Sequence, residues 1–77
     1  MHKHRLAIDA LRQALATRIG NAAGKPVPLT TLNTLAKRQG FTAADVRQEL
    51  HKMAQAGFIV FTTNPTAFEV QVVEVQA

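Results

Sequence analysis

The sequence feature that most constrains the fold is a glycine-centred break between two helical patterns. Apolar residues recur every three or four positions in the runs 32–36 and 46–53, on either side of Gly40, which is the spacing of helices that bury one face. Gly40 has no Cβ and therefore suits the left-handed residue that ends a helix. Thr42 and Asp45 then have the spacing of a capping box, which starts a new helix. The stretch predicts a helix, a tight turn and a second helix.

A further amphipathic helix is predicted near the N-terminus. Its apolar stripe recurs at spacings of three, four and four, with alanines between, and consists of Ile8, Leu11, Leu15 and Ile19. Gly20 and Asn21 provide the stop. We interpret the arginines on its polar side as a solvated surface; they are Arg5, Arg12 and Arg18. Residues 21–28 contain two prolines and no periodicity, which indicates a loop.

The C-terminal part changes from helical to strand periodicity. Ile59 and Phe61 alternate with Val60 and Thr62, and after the turn sequence TTNPT a second run, 68–72, alternates apolar residues with Glu69 and Gln71. This period of two predicts a hairpin of two antiparallel strands. Val73 and Val75 interrupt the alternation, so either the strand bulges or these valines form a second apolar face. The predicted core draws on the helices and the hairpin: Leu11, Leu15, Leu32, Leu35, Val46, Leu50, Phe58, Ile59, Phe61, Phe68 and Val70.

Three short motifs together resemble one family. They are Leu35-Ala36-Lys37, the turn Gly40-Phe41-Thr42 followed by Val46 and Leu50, and the closing Gly57-Phe58-Ile59. In this order they resemble the winged helix-turn-helix family. The resemblance implies an α+β fold in which three helices are followed by a two-stranded antiparallel hairpin, the wing. A short strand near Val27 often pairs with the wing in that family.

The domain organisation that we expect is one domain over residues 1–77. Its parts are a helix at 3–19, a loop at 20–29, a helix at 30–39, a recognition helix at 42–56 and a wing hairpin at 58–75.

Charge indicates an anionic partner. The net charge is +4 and the isoelectric point is near 10.4. All nine basic residues lie within 3–52, whereas residues 53–77 contain two glutamates and no Lys or Arg. The helical part is therefore the electropositive part.

The sequence argues against several classes of function. The chain has no Cys, Ser, Tyr or Trp and no Gly-rich phosphate loop, so we expect neither an enzyme nor a cofactor. His2 and His4 lack a third ligand, and we expect no metal site there. No apolar run approaches the roughly 20 residues that span a bilayer, and no signal peptide is recognisable. We expect a soluble, cytoplasmic protein.

The predicted recognition helix has a face suited to the major groove of DNA. Small residues at its N-terminal end allow close approach of the backbone, and Arg and Gln can hydrogen-bond guanine and adenine edges. Thr42 and the helix N-terminus can meet a phosphate. The candidate DNA-binding residues are Thr42, Ala43, Ala44, Arg47, Gln48, His51 and Lys52, with Lys37 and Arg38 before the turn and Thr63 and Asn64 in the wing.

The favoured interpretation is a small transcriptional regulator that binds double-stranded DNA as a homodimer. The first helix and the face of Val73 and Val75 are the apolar surfaces available for dimerisation. The alternative is a protein-interaction module, such as a phage- or plasmid-type inhibitor or an assembly subunit. The uncharged tip at 62–66 favours this alternative, because DNA-binding wings usually bring Lys or Arg.

Overall fold

Three helices and a three-stranded antiparallel sheet make up the fold. The computed structural model describes the backbone of residues 2–75 and the side chains of residues 7–75. In chain order the elements are α1 (His2–Asn21), β1 (Val27–Pro28), α2 (Leu29–Lys37), α3 (Ala43–Gln55), β2 (Ile59–Asn64) and β3 (Glu69–Glu74).

The turn between α2 and α3 has the predicted geometry. Gly40 adopts a left-handed φ of 86°. Its N–H donates to the Lys37 carbonyl at 3.0 Å and the Phe41 N–H donates to the Ala36 carbonyl at 3.0 Å, which is the pattern of a Schellman motif. Phe41 then packs against the core. The direction of the chain between the two helices is thus fixed by backbone hydrogen bonds.

The start of α3 is the predicted capping box. The Asp45 N–H donates to Thr42 Oγ1 at 3.2 Å, and the Thr42 N–H donates to Asp45 Oδ2 at 3.0 Å. Two backbone N–H groups that a helix N-terminus leaves without helical partners are therefore satisfied.

The sheet has one strand more than the predicted hairpin. β2 and β3 pair in one continuous register from Ile59↔Glu74 to Asn64↔Glu69, and β1 pairs with the other side of β3 through Val27↔Val72. The expectation of a two-stranded sheet was wrong, because Val27–Pro28 is held extended before a proline and supplies a short third strand. The register contains no bulge, so Val73 and Val75 belong to a second apolar face.

The boundaries of two predicted helices also differ. α1 continues through Gly20 to Asn21, beyond the expected end at residue 19. α2 begins at Leu29, inside the expected loop, and ends at Lys37, before the expected residue 39. Pro28 precedes α2 with a φ of −61° and gives no side-chain cap. Residues 38–40 belong instead to the turn that Gly40 closes.

One core lies between the helices and the sheet. The buried apolar residues are Leu11, Leu15, Ile19, Val27, Leu32, Ala36, Val46, Leu50, Met53, Ile59 and Val72. Burial is confirmed for six of the predicted core residues: Leu11, Leu15, Leu32, Val46, Leu50 and Ile59. Leu35 is partly buried and packs against this cluster.

Four predicted core residues in the hairpin are exposed: Phe58 at 64%, Phe61 at 39%, Phe68 at 84% and Val70 at 41%. Phe58 precedes β2, where its carbonyl accepts from the Val75 N–H at 2.9 Å, and it lines a groove with Arg12 and Met53. Phe61 and Val70 share a face with Ile59 and Val72. Phe61 lies opposite Val72 but on the edge strand β2, whereas Val70 lies one pair nearer the tip on that face. Phe68 lies in the turn with a φ of 54°, so strand alternation does not govern its direction.

The outer face of the sheet carries a block of three valines. Val60 pairs with Val73, and Val75 follows two positions after Val73. We name these three residues the outer block. Because side chains of paired residues lie on the same face and alternate along a strand, the valines form an apolar surface.

Candidate nucleic-acid interface

The solvent side of α3 carries the predicted reading face. Val46, Leu50 and Met53 point into the core, which leaves the opposite side of the helix in solvent. The exposed residues there are Ala43, Ala44, Arg47, Gln48, His51, Lys52 and Gln55. Small side chains are at the N-terminal end and long hydrogen-bond donors follow, so the face can approach a flat or grooved anionic surface closely.

The N-terminus of α3 is less available to a phosphate than we expected. Thr42 is exposed, but its hydroxyl accepts from the Asp45 N–H and its own N–H donates to the Asp45 carboxylate. A phosphate approaching this end would meet that negative charge. A phosphate contact at Thr42 would therefore have to displace or repel Asp45.

Lys52 belongs to a charged cluster at the other end of α3. Its Nζ lies 3.4 Å from Oε2 of Glu49, and Arg12 Nε of α1 donates to Oε1 of Glu49 at 2.8 Å. The Glu49 side chain is only 2% exposed, whereas those of Arg12 and Lys52 are about half exposed. Glu49 therefore offsets part of the positive charge that the sequence assigns to this face.

The pKa of Arg12 reflects this cluster. Its hydrogen bond to Glu49 and the attraction between the two charges raise the pKa of the guanidinium above its ordinary value, and Asp9 adds a smaller attraction. A raised pKa stabilises the fold at every pH below the ordinary arginine value and is lost only as the pH passes the folded-state pKa. The arginine therefore introduces no pH dependence near neutrality.

An open groove of about 360 Å³ lies between α3 and the hairpin. Its residues are Leu29, Arg47, Leu50, His51, Phe61, Thr62, Thr63 and Val70. The His51 and Phe61 rings are in contact, with centroids 5.3 Å apart and planes inclined at 46°. The groove joins the exposed face of α3 to the hairpin, so the two form one continuous surface.

The hairpin tip is a tightly bonded turn. Asn64 Oδ1 accepts from the N–H groups of Thr66 at 2.8 Å and Ala67 at 3.1 Å, and the Asn64 carbonyl accepts from the Phe68 N–H at 2.8 Å. These bonds hold Phe68 in a left-handed conformation that costs a non-glycine residue about 1–2 kcal/mol. The carbonyl oxygen of the Asn64 side chain is thus committed to the turn, which leaves its amide N–H groups for a ligand.

The remaining predicted contacts lie on the hairpin and at the end of α2. Thr63 is exposed in β2 and contributes to the groove. Lys37 and Arg38 are exposed at the C-terminal end of α2, where positive charge is favourable to the helix dipole. They precede the turn that leads into α3.

Sequence reasoning missed Arg12, Glu49 and the aromatic residues of the hairpin. Glu49 could have been found, because it lies three residues after Val46 and four before Met53, which places an acid on the apolar stripe and calls for a buried partner. The sequence indicates a solvated Arg12, because its partner Glu49 lies 37 positions away. The alternation predicts Phe61 and Phe68 in the core, but Phe61 lies on the edge strand β2 and Phe68 lies in the turn.

A metal site or a membrane-spanning helix would indicate another kind of function. Among residues 7–75, no group of three or more His, Asp or Glu side chains could hold a metal ion; the side chains of His2 and His4 lie outside the described residues. None of the described helices is long and apolar enough to cross a membrane.

Comparison with known proteins gives no relative. No protein-family model, curated protein or solved structure matches the chain.

Proposed function

We propose that this protein is a winged helix-turn-helix domain that binds double-stranded DNA as a small transcriptional regulator, with α3 in the major groove. The observation that carries the proposal is the exposed face of α3, where two alanines precede Arg47, Gln48 and His51. Small residues permit close approach, and Arg and Gln are the side chains that best read guanine and adenine. The tight turn between α2 and α3 and the sheet order β1-β3-β2 are consistent with that fold.

In this arrangement Arg47 and Gln48 read base edges, because they lie one turn into α3. His51 lies a further turn along, beside Phe61, and faces the sugar-phosphate backbone. Lys37 and Arg38 bind phosphates from the other side of the turn. Lys52 contributes less than an isolated lysine would, since Glu49 already holds it.

The hairpin adds little electrostatic affinity. Thr63 and Asn64 offer a hydroxyl and an amide, and the Asn64 oxygen is committed to the turn. With no Lys or Arg beyond residue 52, the hairpin cannot neutralise phosphates. Affinity in this proposal therefore depends on α3 and on the end of α2.

We further propose that the protein acts as a homodimer. A single module of this size buries too little surface for tight specific binding, and paired half-sites are the usual remedy. The outer block is an apolar surface on a sheet face that is commonly polar in antiparallel sheets. A second copy that covers it would remove Val60, Val73 and Val75 from water, with α1 as a further surface.

The second candidate function is a protein-docking module. The exposed apolar side chains of the outer block and the neutral hairpin favour it, because exposed apolar patches mark protein interfaces. The two functions predict different losses. Under DNA binding, Arg47→Ala weakens binding to duplex DNA; under protein docking, that variant leaves duplex binding unchanged and abolishes capture of the partner.

The experiment is a gel shift with the DNA that flanks the protein's own gene, since small regulators often control themselves. The proposal predicts a discrete complex that resists competition by scrambled duplex and is weakened by Arg47→Ala. Lys25→Ala, which removes one positive charge from an exposed loop position outside the proposed interfaces, is the matched control and should not alter the complex. Equal competition by both duplexes, with no effect of Arg47→Ala, would contradict sequence-specific reading by α3.

A further inference from the structure

Phe68 is the most exposed large apolar side chain among the described residues, at 84%. Three hydrogen bonds to Asn64 define the turn around Phe68. The exposure of its side chain therefore follows from a fixed backbone conformation. Its φ of 54° is a left-handed conformation that glycine would adopt without strain. The fold therefore holds an aromatic ring in water, in a strained backbone conformation, without a packing contact that compensates.

We infer that Phe68 is an intercalating residue that inserts between base steps in the minor groove next to the site read by α3. The inference rests on the proposed DNA binding by α3 and adds a mode of contact and a deformation of the duplex. Exposed apolar side chains of minor-groove proteins act in this way, partly unstacking two base pairs and kinking the DNA.

The position of the tip relative to α3 fits a duplex. Phe61 contacts His51 of α3, and the strand continues from there to the turn at Pro65, which at about 3.4 Å per residue is roughly 14 Å away. One helical turn of DNA is about 34 Å, so the centre of a minor groove lies about 17 Å from that of the adjacent major groove. Because the minor groove is about 6 Å wide, the hairpin has the length to reach its near edge, and the Phe68 side chain has to span the rest.

The chemistry of the tip also favours base stacking over a phosphate contact. Its residues Pro65, Thr66, Ala67 and Phe68 carry no charge, so they cannot neutralise phosphates, whereas an apolar ring can replace part of a base stack. The hydrogen-bonded turn already fixes the backbone, which reduces the conformational entropy lost on insertion. The uncharged tip, unusual for a hairpin that approaches DNA, is explained by this mode of contact.

The test uses the full chain and duplexes with 2-aminopurine placed singly at successive steps around the bound site, since unstacking raises the fluorescence of this base. We expect wild-type protein to raise the fluorescence at one or two adjacent steps outside the region protected by α3. Phe68→Gly should lose this signal and bind about tenfold more weakly. Phe68→Leu should retain part of the fluorescence signal and part of the affinity, because leucine is also among the apolar side chains that insert between base steps.

Phe68→Gly also separates function from folding. Glycine adopts the left-handed conformation without strain, which stabilises the folded state. This gain offsets the greater conformational entropy of glycine in the unfolded chain. The variant should therefore melt at a temperature no lower than that of the wild type. Ala67→Gly is the matched control: it loosens the same turn, keeps the ring and should retain the fluorescence signal.

Different results overturn different claims. If the wild type binds duplex in an Arg47-dependent manner but no step gains fluorescence, or if Phe68→Gly retains the signal, the intercalation is wrong and the proposed DNA binding stands. If the wild type binds no duplex, both are wrong.

Discussion

Arg12 of α1 and Glu49 of α3 form a 2.8 Å ion pair in which the carboxylate is buried and the guanidinium is half exposed. Lys52 lies 3.4 Å from the other carboxylate oxygen. A buried carboxylate is costly unless it is paired and hydrogen-bonded, so this contact specifies how α1 lies on α3. The N-terminal helix and the candidate reading helix are thereby joined by charge as well as by apolar packing.

Removal of the Arg12 charge should destabilise the fold. Arg12→Met keeps most of the apolar stem but leaves the buried Glu49 without its shortest hydrogen bond, so the melting temperature should fall. Lys25→Met, at an exposed loop position, should change the free energy of unfolding by no more than about 0.5 kcal/mol. The double variant Arg12→Met/Glu49→Leu should regain stability, since replacing both partners is often neutral. Equal melting temperatures for Arg12→Met and Lys25→Met would show that the Arg12–Glu49 ion pair does not stabilise the fold.

Two glycines should respond oppositely to the same substitution. Gly40 has a φ of 86°, so Gly40→Ala should lower the free energy of unfolding by about 1–2 kcal/mol although space is available for the methyl group. Gly20 is helical, and a Cβ there would meet Glu74 Oε2 at an ordinary 3.7 Å, so Gly20→Ala should raise it by about 0.5–1 kcal/mol. Urea denaturation measures both. Changes of the same sign would mean that one of the two backbone conformations is wrong.

The helices and the turn between them could be predicted from local signals. Gly40, Thr42 and Asp45 act within a few residues of one another, and their hydrogen bonds are those expected of a Schellman motif and a capping box. The apolar stripe of α3 correctly divided its buried from its exposed face. The exposure of Arg47 and Gln48 followed from the same periodicity.

The hairpin could not be predicted to the same extent, because its burial depends on distant elements. Alternation placed Phe61 and Val70 on the same face as Val72, but of the three only Val72 is buried. Phe61 is its partner on the edge strand β2, and alternation cannot show which strand is central. The pairing of β1 with β3 joins residues more than forty positions apart and leaves no local signal beyond the prolines. The Arg12–Glu49 contact is likewise long-range, although an acid on an apolar stripe indicated that Glu49 needed a partner.

Dimerisation should depend on the outer block. Sedimentation at micromolar concentration should give about twice the monomer mass, and Val60→Lys should give a monomer, because a lysine at the centre of the apolar surface would be desolvated without a partner. Thr66→Lys, at the exposed tip, is the control for added charge and should remain dimeric. A wild type that sediments as a monomer with and without DNA would exclude the dimer.

Arg47 and Lys52 should affect DNA binding in different ways. Arg47→Ala should cost about 1–3 kcal/mol on the preferred sequence and relax discrimination at one position. Lys52→Ala should weaken all sequences alike and reduce the salt slope by up to about one, and by less where Glu49 already neutralises Lys52 in the free protein. Titrations on matched and scrambled duplexes separate the two effects. If Arg47→Ala loses the same binding free energy on both duplexes, Arg47 contacts a phosphate and not a base edge.

The salt dependence of duplex binding tests DNA binding most directly. A protein that neutralises phosphates releases counterions, so the logarithm of the binding constant falls linearly with the logarithm of salt concentration, with a slope of about −0.9 per phosphate. If Lys37, Arg38 and one further cation each contact a phosphate, the slope on random duplex should be about −2 to −3. Binding that is absent at low salt, or that does not change with salt concentration, would contradict the account and favour a protein partner for α3.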